Sequence, residues 1–244
     1  MNFTDKLQMG TQELLTHGAA TLVAFGDSVT HGALGINEFD YETVYWNRLK
    51  KRINALYPYV LVNALNAGIG GVTAAGSVAR LERDVLSHHP DLIIICFGLN
   101  DVNGDLNTYL QALRTIFSRC CQSGAQVIFM TPNKLNTYVA EDTAPDLWEY
   151  AEKTAKMQNG GRMDRFMCEA CALAAEYPLT VCDCYARWKA LAATGEDTTK
   201  LLVNRINHPI QEMHALFSDS LFDVLFSGIP IRRAVDTDAM FPVR

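Results

Sequence analysis

Thr21-Leu22-Val23-Ala24-Phe25-Gly26-Asp27-Ser28 is the stretch that decides how this chain is read. Thr21–Phe25 is a short run of apolar and β-branched side chains, the composition of a strand covered on both faces. Gly26 then allows a tight turn, and a serine hydroxyl stands at the carboxyl end of the strand. Open α/β sheets bind ligands outside the carboxyl ends of their strands, so Ser28 occupies a place suited to a nucleophile. A serine there can equally cap the next helix, and the turn alone does not separate the two readings.

Outward from this point the chain alternates. Further strands are expected at Val60–Leu65, Leu92–Phe97, Gln126–Met130 and Leu179–Cys182. Amphipathic helical patterns lie near Thr43–Leu56, Ala75–His88, Leu106–Cys121 and Leu147–Tyr177, the last divided by Gly160-Gly161. A final helix is expected after Pro209, with the proline near its first turn. Strand–helix alternation at this spacing implies a parallel sheet with helices on both faces. A length of 244 residues suits a single domain, 1–244, with a core over about 20–226. Met1–Gly18 reads as an added helix, and Ser227–Arg244 as an extension that packs back or reaches a partner.

Composition narrows the partners. The formal charge is −6 and no lysine or arginine run suggests a surface that follows phosphates, so nucleic acid is not expected. Arg232-Arg233 is a lone pair, read as solvated. No apolar stretch is long enough to cross a membrane, and the polar start lacks a signal-peptide core, so a cytoplasmic protein is expected. The seven cysteines are then expected as reduced thiols. Cys168-x-x-Cys171 and Cys182-x-Cys184 together suggest a zinc site only weakly, since helix and strand filling explains them.

Four polar features fall at strand ends or before a helix: Ser28, Asn66-Ala67-Gly68-Ile69-Gly70-Gly71, Gly98-Leu99-Asn100-Asp101 and His208-Pro209. Strand ends on one edge of a parallel sheet share one crevice. Acyl transfer needs these residue types there. A serine needs a base, which His208 can supply. Backbone N–H groups of the glycine turn and the amide of Asn100 can stabilise an oxyanion. Each feature alone has a plainer explanation: a turn, a helix cap or an exposed histidine. The glycine spacing does not meet the dinucleotide pattern.

Together and in this order, the four blocks resemble those of the SGNH hydrolases, also called GDSL esterases and lipases. The likeness runs from about Leu22 to Phe226. It implies a flavodoxin-like, three-layer α/β/α sandwich on a five-stranded parallel sheet. It also implies Ser28 as nucleophile, His208 as base, and an oxyanion hole from Ser28, Gly71 and Asn100, with no metal or cofactor. One departure stands out. The family's aspartate three residues before the histidine is Arg205 here, and arginine cannot accept a hydrogen bond from imidazole. A backbone carbonyl around Asn204–Ile206, a side-chain oxygen of Asn204 or Asn207, or a carboxylate such as Asp183 is expected instead.

Secondary candidates are Asp27, to cap or orient the serine turn, and His31, Tyr41, Tyr45 and Trp46, to line the pocket or simply pack. His214 reads as structural. The expected activity is hydrolysis of short-chain carboxylic esters, with O-deacetylation of sugars or other small soluble alcohols favoured and a small-molecule ester as the partner. Longer acyl chains (a lysophospholipase or thioesterase), acyl transfer, and a non-catalytic binding protein on the same fold are the alternatives, and a homo-oligomer stays open.

Overall fold

A computed structural model describes residues 2–35 and 37–228. The expectations for the tail, including Arg232-Arg233, lie outside the described residues from Ile229 onward. Five strands, β1 (Ala20–Gly26), β2 (Val62–Gly68), β3 (Leu92–Cys96), β4 (Gln126–Met130) and β5 (Thr180–Cys182), form one sheet in the order β2-β1-β3-β4-β5. Every neighbouring pair is parallel. The helices are α1 (Phe3–Lys6), α2 (Thr11–His17), α3 (Ser28–His31), α4 (Tyr45–Leu56), α5 (Ala74–Ser77), α6 (Leu81–Asp84), α7 (Leu106–Gln122), α8 (Trp148–Asn159), α9 (Arg162–Ala174), α10 (Cys184–Ala193) and α11 (His214–Leu225).

The layers follow from side-chain periodicity. In α4, Tyr45, Trp46, Leu49 and Ile53 fall on one buried stripe. This stripe packs with α11, and together they cover one face of the sheet. Helix α7 starts where Asp105 accepts from the Thr108 N–H, and it buries Tyr109, Leu113, Ile116, Phe117 and Cys120. It forms the other layer with α5 and α9. Between the layers β1 and β3 are almost wholly buried, which is why their sequences are nearly continuous apolar runs.

This strand order places β1 where the connections diverge, to β2 on one side and to β3 on the other. Its carboxyl end therefore opens into the crevice at the topological switch point. The register brings Gly26 level with Gly68 of β2 and with Cys96 of β3. The polar blocks that follow these strands thus begin at one height.

Several boundaries differ from expectation. Strand β2 runs on through Asn66-Ala67-Gly68, because ladder pairing with Ala24, Phe25 and Gly26 continues past the apolar residues. The Ala75–His88 helix is broken into α5, α6 and two 3₁₀ turns, with Gly76 inside the first piece. The amino-terminal helix is two short ones with Gly10 capping the second. Helix α10 was not anticipated. Pro209 does not open a helix; it pairs in a bridge with Leu202, and α11 starts only at His214.

Candidate active site

At the end of β1 the chain turns into α3, and Asp27 is the N-cap: its Oδ1 accepts from the Val29 N–H at 3.0 Å. Ser28 is the first residue of this helix, so its own N–H has no intrahelical acceptor. The helix lies tight against the end of β2. A Cβ at Gly68 would stand 2.3 Å from the His31 nitrogen, so only glycine lets α3 settle there.

His208 is held by its own loop. The bridge between Leu202 and Pro209 closes the loop, and the Val203 N–H donates to the His208 carbonyl at 2.7 Å. Inside it, Asn204 Oδ1 accepts from the N–H groups of Ile206, Asn207 and His208, each at 3.0 Å. The imidazole then reaches across 180 residues: Nε2 lies 3.0 Å from Ser28 Oγ, and Nδ1 lies 3.0 Å from the Leu34 carbonyl oxygen. A carbonyl can only accept, so Nδ1 carries the proton and Nε2 is free to accept from the serine hydroxyl. Burial lowers the pKa of His208, against a smaller raising effect of the Leu34 hydrogen bond, and this favours the neutral ring.

The orienting group is therefore the Leu34 carbonyl, which none of the three expected replacements included. A hairpin directly after α3 sets its position. Ala33 N–H donates to the Ser28 carbonyl at 2.9 Å, Leu34 N–H to Glu38 at 2.8 Å, and Asp40 N–H to Gly32 at 2.8 Å. The other candidates are engaged elsewhere. Asn204 Nδ2 donates to Asn207 Oδ1 at 2.8 Å. Asp183 caps α10 and accepts from the Thr131 hydroxyl. Arg205, at φ +58°, turns its guanidinium onto Asp142 and the carbonyls of Lys200 and Leu202.

A loop follows the end of β2, where a Cβ at Gly70 would lie 3.9 Å from the Ser28 Cβ, and a second loop follows β3. Gly71 adopts φ +77° with open space where a Cβ would be, so its glycine is needed for backbone conformation and not for room. Asn100 Nδ2 donates to the carbonyl of the next residue, Val72, at 3.0 Å, which leaves its second amide hydrogen available. Asp101 Oδ1 accepts from the Ala74 N–H at 2.9 Å and ties the same two loops again. Below them the buried guanidinium of Arg80 donates to the Gly26 carbonyl at 3.1 Å and the Ala67 carbonyl at 2.6 Å. Arg80 so joins the ends of β1 and β2, a role that its place in an ordinary helical pattern did not announce.

The second oxygens of Asp27 and Asp101 are buried without a partner. Burial is the main cause that pushes the Asp27 pKa up to about 7, with the Asp101 charge adding to it. Burial likewise raises Asp101 to about 6. Both carboxyls are thus easily protonated close behind the serine turn.

Of the secondary candidates, Tyr45 and Trp46 are core residues: Tyr45 OH bonds Thr30 Oγ1 at 2.9 Å and Trp46 Nε1 donates to the Thr30 carbonyl at 2.9 Å. They brace α3 from beneath. His214 is buried and accepts the Tyr45 N–H, a structural role. Tyr41 is exposed just after the hairpin, while His31, the last residue of α3, is half-buried. Cys182 and Cys184 are buried, with Sγ atoms 3.7 Å apart, while Cys168 is exposed on α9. Among the described residues no group of three or more His, Cys, Asp or Glu side chains is placed to hold a metal ion, and no helix is long and apolar enough to cross a membrane.

Parts of the chain are similar to known proteins. A stretch of 86 residues is 37% identical to an uncharacterized lipoprotein, YqeF, of Bacillus subtilis, covering 34% of this chain and 33% of that protein. Another of 93 residues is 33% identical to an acetylxylan esterase of Geobacillus stearothermophilus, covering 33% of this chain and 39% of that one. The chain therefore spans well under half the length of these curated relatives. A crystal structure of an acetylxylan esterase from Geobacillus stearothermophilus superposes with a TM-score of 0.66 at 23% identity, over 88% of this chain and 97% of the other, which shows a shared fold. Residues 24–216, from inside β1 to the start of α11, match one family along their whole length, and with its three-layer fold the chain belongs to the GDSL-like lipase/acylhydrolase family.

Proposed function

We propose that this protein is a serine esterase that hydrolyses short-chain carboxylic esters, foremost O-acetyl groups on sugars or other small soluble alcohols. The observation that carries the reading is the line Leu34 carbonyl–His208–Ser28, with 3.0 Å at each step. In the hypothesised mechanism His208 Nε2 takes the Ser28 proton as Oγ attacks the ester carbonyl. Negative charge gathers on the former carbonyl oxygen, and the N–H groups of Ser28 and Gly71 with the free amide hydrogen of Asn100 are suited to hold it. The imidazolium, its Nδ1–H still on the Leu34 carbonyl, then protonates the departing alcohol oxygen. Water enters and gives a proton to Nε2 as its oxygen bonds to the acyl carbonyl carbon; the bond to Ser28 Oγ then breaks, Nε2 returns the proton to Oγ, and the acid leaves.

The likeness to acetylxylan esterase, a name that belongs to the relative, supports the sugar-ester reading. All seven cysteines are free thiols, which suits a reducing compartment, and we place the protein in the cytoplasm, which cell fractionation tests. The test of the activity is hydrolysis of p-nitrophenyl esters from acetate to palmitate, and of acetylated xylooligosaccharides, by wild type and Ser28→Ala. Activity on short esters that Ser28→Ala abolishes is expected. Rates that climb with chain length move the substrate to lipids or thioesters, and no Ser28-dependent turnover on any ester removes the enzymatic reading.

A further inference from the structure

The hairpin that presents the Leu34 carbonyl also carries a surface that the ester chemistry leaves unused. Phe39 pairs with Ala33 across the hairpin, and Tyr41 stands two residues on. Their rings lie within 4° of parallel with centroids 6.2 Å apart. Beneath them the His31 ring, at the end of the helix that starts with Ser28, packs on Phe39 at 4.4 Å, and His31 Nε2 lies 3.4 Å from the Tyr41 hydroxyl. Backed in this way, the two parallel rings form an aromatic ledge, with Phe39 41% and Tyr41 50% exposed. Most of the other aromatic side chains among the described residues are buried.

Position ties the ledge to the reaction. On one side, the hairpin holds the His208 partner. On the other, His31 sits against Gly68, which leads into Ile69, itself 39% exposed, and on to the loop of Gly71. Chemistry then selects the occupant. A long acyl chain is best served by an enclosed apolar channel, whereas these rings are exposed and Glu38, next in the chain to Phe39, is exposed too. The electron-rich faces of aromatic rings attract the C–H face of a sugar ring, and a carboxylate accepts hydrogen bonds from its hydroxyls.

We propose that Phe39 and Tyr41 form the ledge on which the sugar ring of the substrate, the alcohol part of the ester, stacks during deacetylation. This rests on the sugar-ester reading above. Bound there, the sugar presses on the same hairpin that orients the base.

The experiment uses the full chain and acetylated xylotriose. Calorimetry in the Ser28→Ala background reports binding without turnover, and the active background reports kcat/KM for the sugar ester relative to ethyl acetate, whose alcohol has no ring. Phe39→Ala and Tyr41→Ala are each expected to weaken binding by about three- to tenfold and to lower that ratio to match, mainly through KM, while Phe39→Tyr keeps both. Should Phe39→Ala misfold, Tyr41→Ala at the more exposed position decides. Unchanged binding and an unchanged ratio in the alanine variants overturn the ledge. Wild-type turnover of ethyl acetate without any on the sugar ester overturns the sugar reading itself, and with it the occupant named here.

Discussion

Between Leu34 and His208, 174 positions apart in the chain, a backbone carbonyl and an imidazole Nδ1 meet at 3.0 Å and fix the tautomer that His208 offers to Ser28. The carbonyl performs the orienting part of a triad carboxylate but cannot ionise. It stabilises an imidazolium less than a full negative charge does. Arg205→Asp, which places a carboxylate at the family's usual position, is expected not to raise kcat/KM, because Nδ1 already has its partner and the Arg205–Asp142 ion pair is lost. A tenfold or larger gain in the variant would show that the Leu34 bond yields to a better acceptor.

The pH dependence follows from the direction of the His208 shift. Burial lowers its pKa below the ordinary 6.5, so the neutral base persists into mildly acid solution. The rising limb of kcat/KM against pH is expected to have its midpoint under that of a free imidazole. A limb centred at or above pH 7 would mean that His208 is not the group that titrates.

Asn100→Ala is expected to reduce kcat by about 10²–10³ with KM little changed, the signature of a donor used only in the transition state. The variant also loses its bond to Val72, so thermal unfolding should accompany the kinetics. Asn100→Asp keeps the shape but has no N–H to offer, and an equal loss there points to the hydrogen bond itself. Turnover near wild type in either variant takes Asn100 out of the mechanism.

Asp27 makes stability depend on pH in an unusual direction. Its folded pKa of about 7 lies above the ordinary 3.8, so the folded state binds the proton more tightly than the unfolded chain. Stability is fullest below pH 3.8 as far as this group is concerned, and it declines as pH rises toward 7. Asp27→Asn keeps an oxygen for the Val29 cap and removes the ionisation. Urea unfolding at pH 5 and pH 8 is expected to show the variant gaining about 2–3 kcal/mol on wild type between the two. A difference that does not change with pH rejects this account.

Arg80→Met is expected to cost about 2–4 kcal/mol of stability, since it leaves the Gly26 and Ala67 carbonyls buried without their charged donor. Denaturant unfolding measures it. A loss under 1 kcal/mol would mean that the strand ends hold without the guanidinium.

The sequence was legible where one residue's side chain states its purpose. Buried strands such as Leu92–Cys96 show as apolar runs, and Ser28 and His208, each marked by type and place, stand 3.0 Å apart. It was illegible where the backbone acts. Any residue at position 34 has a carbonyl, and nothing local tells that this one meets an imidazole far along the chain. The continuation of β2 through Asn66 was hidden for a related reason: ladder pairing with Ala24 is a tertiary fact, while the apolar pattern stops at Leu65. Helix α10 did leave a signal, the Asp183 cap ahead of Ala186 and Trp188, which was overshadowed by reading the two nearby cysteines as a pair.

The Leu34 contact also bears on heredity. No codon encodes a main-chain oxygen, so no single amino-acid replacement deletes the partner of His208. Position 34 can drift through many residues while the imidazole stays aligned. What the contact cannot survive is a change in the number of links between Ser28 and Asp40, whose hairpin bonds count residues. Insertions and deletions there, more than substitutions, are the changes against which selection would guard this chain.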